Sequence, residues 1–207
     1  MKKNLFIAFE GIDGCGKSTQ AKILRDKLES AGAKVFLTCE PTTGPIGSMI
    51  RDAFNNKMKA DHRVIAGLFV ADRLNHILDE NDGMMAKLKQ GHTVITDRYY
   101  FSSYAYQGAH MPLDWVIQAN SLSAGLLRPD INIYIDITPE LSMERLKNDR
   151  TSLELYESIE NLKNVRNRYF EAFELLKNKE QVFIINGDRL PEQVADEIWE
   201  KVRGMME

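Results

Sequence analysis

Strand-length runs of apolar and β-branched residues alternate with amphipathic stretches along the chain. Leu5–Phe9 is one such run, and Lys34–Thr38, Thr93–Asp97, Ile131–Asp136 and Val182–Asn186 are others. Between them the apolar positions fall at helical spacing. Ala21, Leu24, Leu28 and Ala31 share one face of a helix predicted over Lys17–Ala31, which Gly32 stops. Helices are also predicted over Ile46–Phe54, Val64–Asn81, Tyr99–Gln107, Leu113–Ala124, Pro139–Asn148 and Pro191–Met205; Leu162, Val165, Tyr169, Phe173 and Leu176 mark one more. Strand followed by helix, repeated in this way, predicts an α/β class: a doubly wound, five-stranded parallel sheet. Ligands of such sheets bind beyond the C-terminal strand ends, so chemistry is expected from Glu10 onward and at Glu40, Asp97 and Asp136.

Composition narrows the partners. A chain of 207 residues suits one domain, expected to span 1–207. A net charge of −3 gives no global attraction for nucleic acid or anionic membrane, so a bound anion must be held by local cations. Cys15 and Cys39 are too few for a disulfide framework and suit a reducing compartment. The first apolar run is too short for a signal peptide and meets Glu10, and no stretch reaches membrane-spanning length. A cytoplasmic protein is expected.

The segment Gly11-Ile12-Asp13-Gly14-Cys15-Gly16-Lys17-Ser18, followed by Thr19, fits G-x-x-x-x-G-K-[ST] in full, between an apolar strand and an amphipathic helix. Glycines let successive N–H groups turn inward on phosphate oxygens, and the following helix adds its positive end. Lys17 supplies a movable cation for the β- and γ-phosphates of ATP, and the Ser18 hydroxyl a hard oxygen for Mg²⁺. Asp97, ending another strand, is either a second Mg²⁺ ligand or a helix cap; the complete phosphate loop favours the metal. Arg98 has the planar fork for a phosphate, or it forms a surface ion pair.

Further residues resemble one family. Phe9-Glu10-Gly11-Ile12-Asp13, Thr38-Cys39-Glu40-Pro41, Asp97-Arg98-Tyr99 with Ser102-Ser103-Tyr104-Ala105-Tyr106-Gln107-Gly108, Arg128-Pro129-Asp130 and Asp136-Ile137-Thr138-Pro139-Glu140 run in the order of the thymidylate kinases. The Asp-Arg-Tyr block discriminates; the phosphate loop alone indicates only a P-loop protein. The resemblance implies a P-loop NTPase fold, ATP and dTMP sites facing each other, transfer of a phosphoryl group to dTMP, and a homodimer. It implies Phe69 stacked on thymine and Arg73 donating to its carbonyl, Arg51 and Arg98 on the dTMP phosphate, and Asp13 near the sugar hydroxyl and the metal. Glu40, Ser102, Ser103 and Gln107 become nucleotide contacts, and Tyr106 packs on the sugar. Phe69 and Arg73, four apart, share a helix face, although by pattern alone Phe69 reads as core.

The chain departs from the family pattern in places. Cys39 stands where many relatives have arginine, Thr42-Thr43 replace a common Gly-Gly, and Gly14 replaces the loop arginine of one subgroup. Gly14 points instead to a mobile lid, expected at about 148–157, supplying the transition-state cation. Arg150 and then Arg145 are the candidates, either of which could be a solvated surface charge; Leu155 stands where related lids often place arginine. Dimer contacts are expected from the helices between Val64 and Gln90 or around Leu113–Ala124, faces that could equally pack on the sheet.

Three other functions fit parts of the pattern. A deoxynucleoside kinase would use Glu40 as a base toward a neutral hydroxyl. A kinase for UMP, CMP or AMP would share the phosphate chemistry. A nucleotide switch would share the loop, but no Asn-Lys-x-Asp guanine-reading motif is present. Arg51 and the long serine–tyrosine block favour a monophosphate acceptor.

Overall fold

The computed structural model describes residues 4–149 and 158–206. The central strand, β1 (Phe6–Glu10), is buried at every position, as its unbroken apolar run requires. It leads into α1 (Lys17–Ser30), then β2 (Val35–Cys39), α2 (Pro45–Phe54), α3 (His62–Leu78) and α4 (Met84–Lys89). β3 (Thr93–Asp97) is followed by α5 (Tyr100–Tyr106), α6 (Leu113–Ala119) and α7 (Ser121–Leu126). β4 (Ile131–Asp136), α8 (Pro139–Asp149), α9 (Ile159–Leu176), β5 (Val182–Asn186) and α10 (Pro191–Met206) complete the described chain.

The strands form one all-parallel sheet in the order β2-β3-β1-β4-β5. The order reverses at β1, which opens a crevice at the C-terminal ends of β1 and β3, where Phe9 lies level with Asp97. Edge strands β2 and β5 are only half-buried. Helix α1 packs on β1, β3 and α10, while α5 packs on α9. An aromatic layer of Tyr99, Tyr100, Phe101, Tyr134, Tyr169 and Phe173 fills the α5–α9 side, with edge-on rings such as Phe101–Phe173 at 5.0 Å.

One predicted helix is shifted at its ends and another is broken. The stretch Val64–Asn81 begins earlier, at His62, where the Asp61 carboxylate accepts from the Arg63 N–H. It ends at Leu78, and Gly83 lets the chain turn tightly into α4; a Cβ there would lie 2.3 Å from the Asp79 carbonyl oxygen. The stretch Leu113–Ala124 divides at Asn120, whose side-chain amide donates to the Val116 carbonyl (2.9 Å). Apolar spacing carries no record of such local polar breaks.

Candidate active site

The phosphate loop curls because three glycines take positive φ: Gly11 at 144°, Gly14 at 72° and Gly16 at 96°. At Gly11 the close approach is as strict as the dihedral, for a Cβ would meet the Cys15 sulfur and the Ile135 carbonyl within 2.7 Å. Ile12 and Cys15 turn into the core and contribute backbone only. Lys17 is buried and its Nζ donates to the Ile12 carbonyl at 2.9 Å, so the ammonium folds back over the loop. Burial raises the Cys15 thiol above its ordinary range, against the pull of Lys17.

A cavity of about 560 Å³ opens beside the loop. Asp13, Gly14, Gly16, Lys17, Ser18 and Thr19 line its loop end. Cys39, Glu40, Pro41 and Arg51 come from the end of β2 and from α2. Asp97, Arg98, Ser102, Ser103, Tyr106 and Gln107 come from the end of β3 and from α5. Phe54 and Phe69 form an apolar wall, their rings 6.0 Å apart.

Ser18 Oγ donates to Asp97 Oδ2, joining the two expected Mg²⁺ ligands. The other oxygen, Asp97 Oδ1, is buried with no hydrogen-bond partner among the described residues. One carboxylate and one hydroxyl, with an acceptor atom to spare, fit Mg²⁺, which keeps several waters and shares its shell with substrate phosphates. No cluster of three or more His, Cys, Asp or Glu suited to an all-protein metal cage occurs among the described residues.

Arg98 adopts a φ of 73°, a left-handed conformation rare for a side-chain-bearing residue. Its guanidinium donates to the Gly11 carbonyl (3.2 Å), Ser102 Oγ (3.0 Å), the Tyr106 hydroxyl (3.2 Å) and the Asp13 carboxylate, and lies 4.8 Å from the centre of the Tyr106 ring. Tyr106 also donates to Asp13 (2.7 Å). Burial works against ionisation of Asp13, but Arg98 and Lys17 outweigh it and hold the carboxyl below its usual range. Arg51 donates to the carbonyls of Pro41 (3.2 Å) and Thr42 (2.6 Å), and Thr42 is anchored through its N–H and hydroxyl to Asp72. The loop between β2 and α2 is thereby fixed against the cavity.

The expected base-gripping pair separates. Phe69 lies on the cavity wall, yet it is also part of a small apolar cluster with Ile50, Ala53 and Ile65. Arg73 does not line the cavity. It is buried behind the wall and its guanidinium is held by Glu40, Ser103 and Asn120. The shared helix face was read correctly from the spacing, but the acceptors that draw Arg73 sideways come from three distant segments. Gln107 does reach the cavity, and its Oε1 has no partner among the described residues.

Arg145 lies on α8 and donates to the carbonyls of Gly14 (3.5 Å) and Gly187 (3.1 Å), outside the cavity lining. Arg150 and most of the expected lid, 150–157, lie outside the described residues. Gly14 leaves no room for a side chain: a Cβ would be 3.0 Å from the Ser142 carbonyl oxygen and 3.3 Å from Leu146. Helix α8 thus packs directly on the loop, and Ser142 Oγ donates to the Asp13 carbonyl at 2.6 Å.

Several residues were missed from sequence. Phe54 and Leu146 line the cavity but read as core of amphipathic helices. His76, which holds Glu40 (3.1 Å) and Thr38 (2.8 Å), carries no local motif of its own; Glu10 was placed by its strand-end position and the Phe9–Asp13 stretch, but its hold on the segment after β3 was not.

A family model described as thymidylate kinase matches residues 9–198. A probable thymidylate kinase of Pyrococcus horikoshii is 37% identical over 179 residues, 84% of each chain. That of Thermococcus kodakarensis is 36% identical over 203 residues, covering 94% of this chain and 95% of its own. That of Methanococcus aeolicus is 36% identical, covering 96% of both. With a family match over most of its length and a phosphate loop facing a cationic, aromatic-walled cavity, the chain belongs to the thymidylate kinase family.

Proposed function

We propose that this protein transfers the γ-phosphoryl group of ATP to dTMP, giving dTDP and ADP, and that the cavity residues divide into a donor and an acceptor side. The observation that carries this is the meeting of a phosphate loop with Arg51 and Arg98 in one cavity walled by Phe54 and Phe69. Gly11 to Thr19 hold the ATP phosphates through backbone N–H groups and Lys17. Arg51 and Arg98 hold the dTMP phosphate, Phe69 stacks on the base, and Glu40, Ser102, Ser103 and Gln107 complete the nucleotide site. Tyr106 packs on the sugar beside Asp13. Arg73 acts from behind the wall by fixing Glu40 and Ser103.

A nucleoside monophosphate has a second pKa near 6 and is mostly ionised at neutral pH, so no general base is needed. The obstacle is bringing two polyanions together. Unit charges about 4 Å apart repel by roughly 4 kcal/mol in a moderately screened site. Lys17, Arg51 and Arg98 offset that repulsion and hold the reacting oxygens in line. Ser18 and Asp97 would hold Mg²⁺, which when bound to ATP neutralises charge on the β- and γ-phosphates. A basic residue in or beside a lid at about 148–157, Arg150 before Arg145 of α8, would complete the site within a single domain over 1–207, and lid closure would exclude water as a competing acceptor.

Glu40 argues against a deoxynucleoside kinase. Its carboxylate is bound by Arg73 and by His76, which leaves it poorly placed to take a hydroxyl proton.

The reading includes a cytoplasmic homodimer with no nucleic-acid or membrane partner. No helix among the described residues is long and apolar enough to cross a membrane. Val64, Ala71 and Leu78 lie along the outer face of α3, with Val64 53% and Leu78 51% exposed, opposite the face that carries Phe69 and Arg73. Such a stripe suits an isologous contact. Sedimentation of the protein and its Val64→Glu/Leu78→Glu variant tests it: a dimer that the double change dissociates supports the contact, a monomeric wild type refutes it. For the reaction, chromatography of a mixture with ATP, dTMP and Mg²⁺ should show dTDP and ADP in equal amounts. ADP without dTDP would overturn the proposed transfer.

A further inference from the structure

Glu10 is fully buried at the end of β1, directly before the phosphate loop, and does not itself line the cavity. A buried carboxylate needs partners, and its partners come from three places. Oε1 accepts from the Tyr99 N–H (3.0 Å). Oε2 accepts from Ser102 Oγ (2.6 Å) and from the Tyr169 hydroxyl (3.0 Å). Both of the first two contacts bear on Arg98. Tyr99 is the next residue after the left-handed turn at Arg98, so its anchored N–H helps hold that strained backbone. Ser102 is the oxygen to which Arg98 Nη1 donates.

Hydrogen-bond polarity makes the second contact directional. Arginine can only donate, so Ser102 must offer Arg98 a lone pair. Serine has one hydroxyl proton, which must then point elsewhere; the Glu10 carboxylate at 2.6 Å is the nearer and charged acceptor, and the Tyr169 hydroxyl at 2.8 Å from Oγ is the other. We propose that Glu10 is a positioning residue for the acceptor phosphate: through the Tyr99 N–H and the Ser102 hydroxyl it fixes the backbone and the guanidinium of Arg98. The proposal rests on the reading of Arg98 as the dTMP phosphate clamp.

Glu10→Gln distinguishes this role from simple packing. The amide is nearly isosteric, and its oxygen must face the Tyr99 N–H. Its NH₂ then faces Ser102 and donates to Oγ, so the serine loses its charged acceptor and its proton must turn to the Tyr169 hydroxyl or toward Arg98, which loosens the hold on the guanidinium. The KM for dTMP should rise about tenfold, the worth of one charge-assisted hydrogen bond, with the KM for ATP changed less than about twofold. Ser102→Ala should raise the KM for dTMP similarly, and the double variant should be no worse than either single one. If Glu10→Gln fails to fold, Ser102→Ala and Tyr169→Phe carry the test. Ser102→Ala must then raise the KM for dTMP selectively, while Tyr169→Phe, which leaves the serine proton on Glu10, must not. An unchanged KM for dTMP, an equal rise for both substrates, or additive single effects would overturn the proposal. Wild-type turnover of dTMP is the control for the clamp reading itself: its absence defeats that reading first, whereas normal wild-type turnover with unaffected variants defeats only Glu10.

Discussion

Glu40 and Arg73 are bound to each other behind the cavity wall, Oε2 to Nη2 at 2.7 Å, each side chain 1% exposed. Neither charge has water to fall back on. Removing one strands the other in a low-dielectric site and should cost about 3–5 kcal/mol. Arg73→Ala and Glu40→Ala are each expected to lower the urea midpoint by that measure, and the double variant by less than the sum of the two. Because Glu40 lines the cavity and Arg73 also holds Ser103, each single change should weaken dTMP binding as well.

Asp97 carries a buried acceptor atom with no hydrogen-bond partner among the described residues. Asp97→Asn keeps the shape and removes the charge that would face Mg²⁺. The Mg²⁺ concentration for half-maximal ADP formation should rise by about tenfold or more, one tenfold step corresponding to about 1.4 kcal/mol. An unchanged Mg²⁺ titration would remove Asp97 from the metal site.

Arg98→Ala separates the two substrates. Arg98 reaches Ser102 and Tyr106 on the acceptor side and touches the phosphate loop only at the Gly11 carbonyl and the Asp13 carboxylate, not at its phosphate-facing N–H groups, so turnover with dTMP should fall by about 10²–10³ while ATP affinity stays close to wild type. Competition of unlabelled ATP against a fluorescent analogue measures the second quantity. Normal turnover in this variant would contradict the clamp.

Glu10 gives the fold a pH dependence. Burial pushes its carboxyl up from 4.5 to about 7, against the opposing effects of Ser102, Arg98, Tyr169 and Tyr99. Arg98 and Arg73 are the cations that act on it, and Tyr104 of α5, Tyr134 of β4 and Tyr169 of α9 are the other titratable neighbours. The folded state therefore holds this proton more tightly than the unfolded chain. Its stabilising contribution is full below about pH 4.5 and is lost as pH rises through about 7, a change on the order of 3 kcal/mol. Relative to Glu10→Gln, the wild type should lose unfolding free energy between pH 5 and pH 8. A parallel pair of stability curves would show that Glu10 does not titrate there.

The sheet was legible because its central strands are buried on both faces and its edge strands still read as short apolar runs; Thr93–Asp97, Ile131–Asp136 and Val182–Asn186 were bounded as found. The break at Asn120 and the early end of α3 before Gly83 were not, since a local hydrogen bond and a close backbone approach leave no trace in apolar period. Among candidate site residues, those tied to a loop with fixed chemistry, such as Lys17 and Ser18, could be named from spacing. Arg73 shows the limit. Its position on α3 follows from helical geometry, but its direction depends on Glu40, Ser103 and Asn120, brought together only by the fold. Glu10 lay in plain view between an apolar strand and the loop, yet its meaning depends on Ser102 and Tyr169, far away in sequence.

The most direct measurement is Mg²⁺-dependent ADP formation from ATP with dTMP, dUMP, UMP, CMP, dCMP, AMP and thymidine offered separately. The account expects strong preference for dTMP and little turnover of thymidine, because Arg51 and Arg98 require a phosphate on the acceptor and Phe69 offers its ring to the base. The margin over dUMP should be modest, since one methyl group is worth only ~1–3 kcal/mol. Turnover of thymidine in preference to dTMP would contradict the phosphate clamp and return Glu40 to the centre of the chemistry.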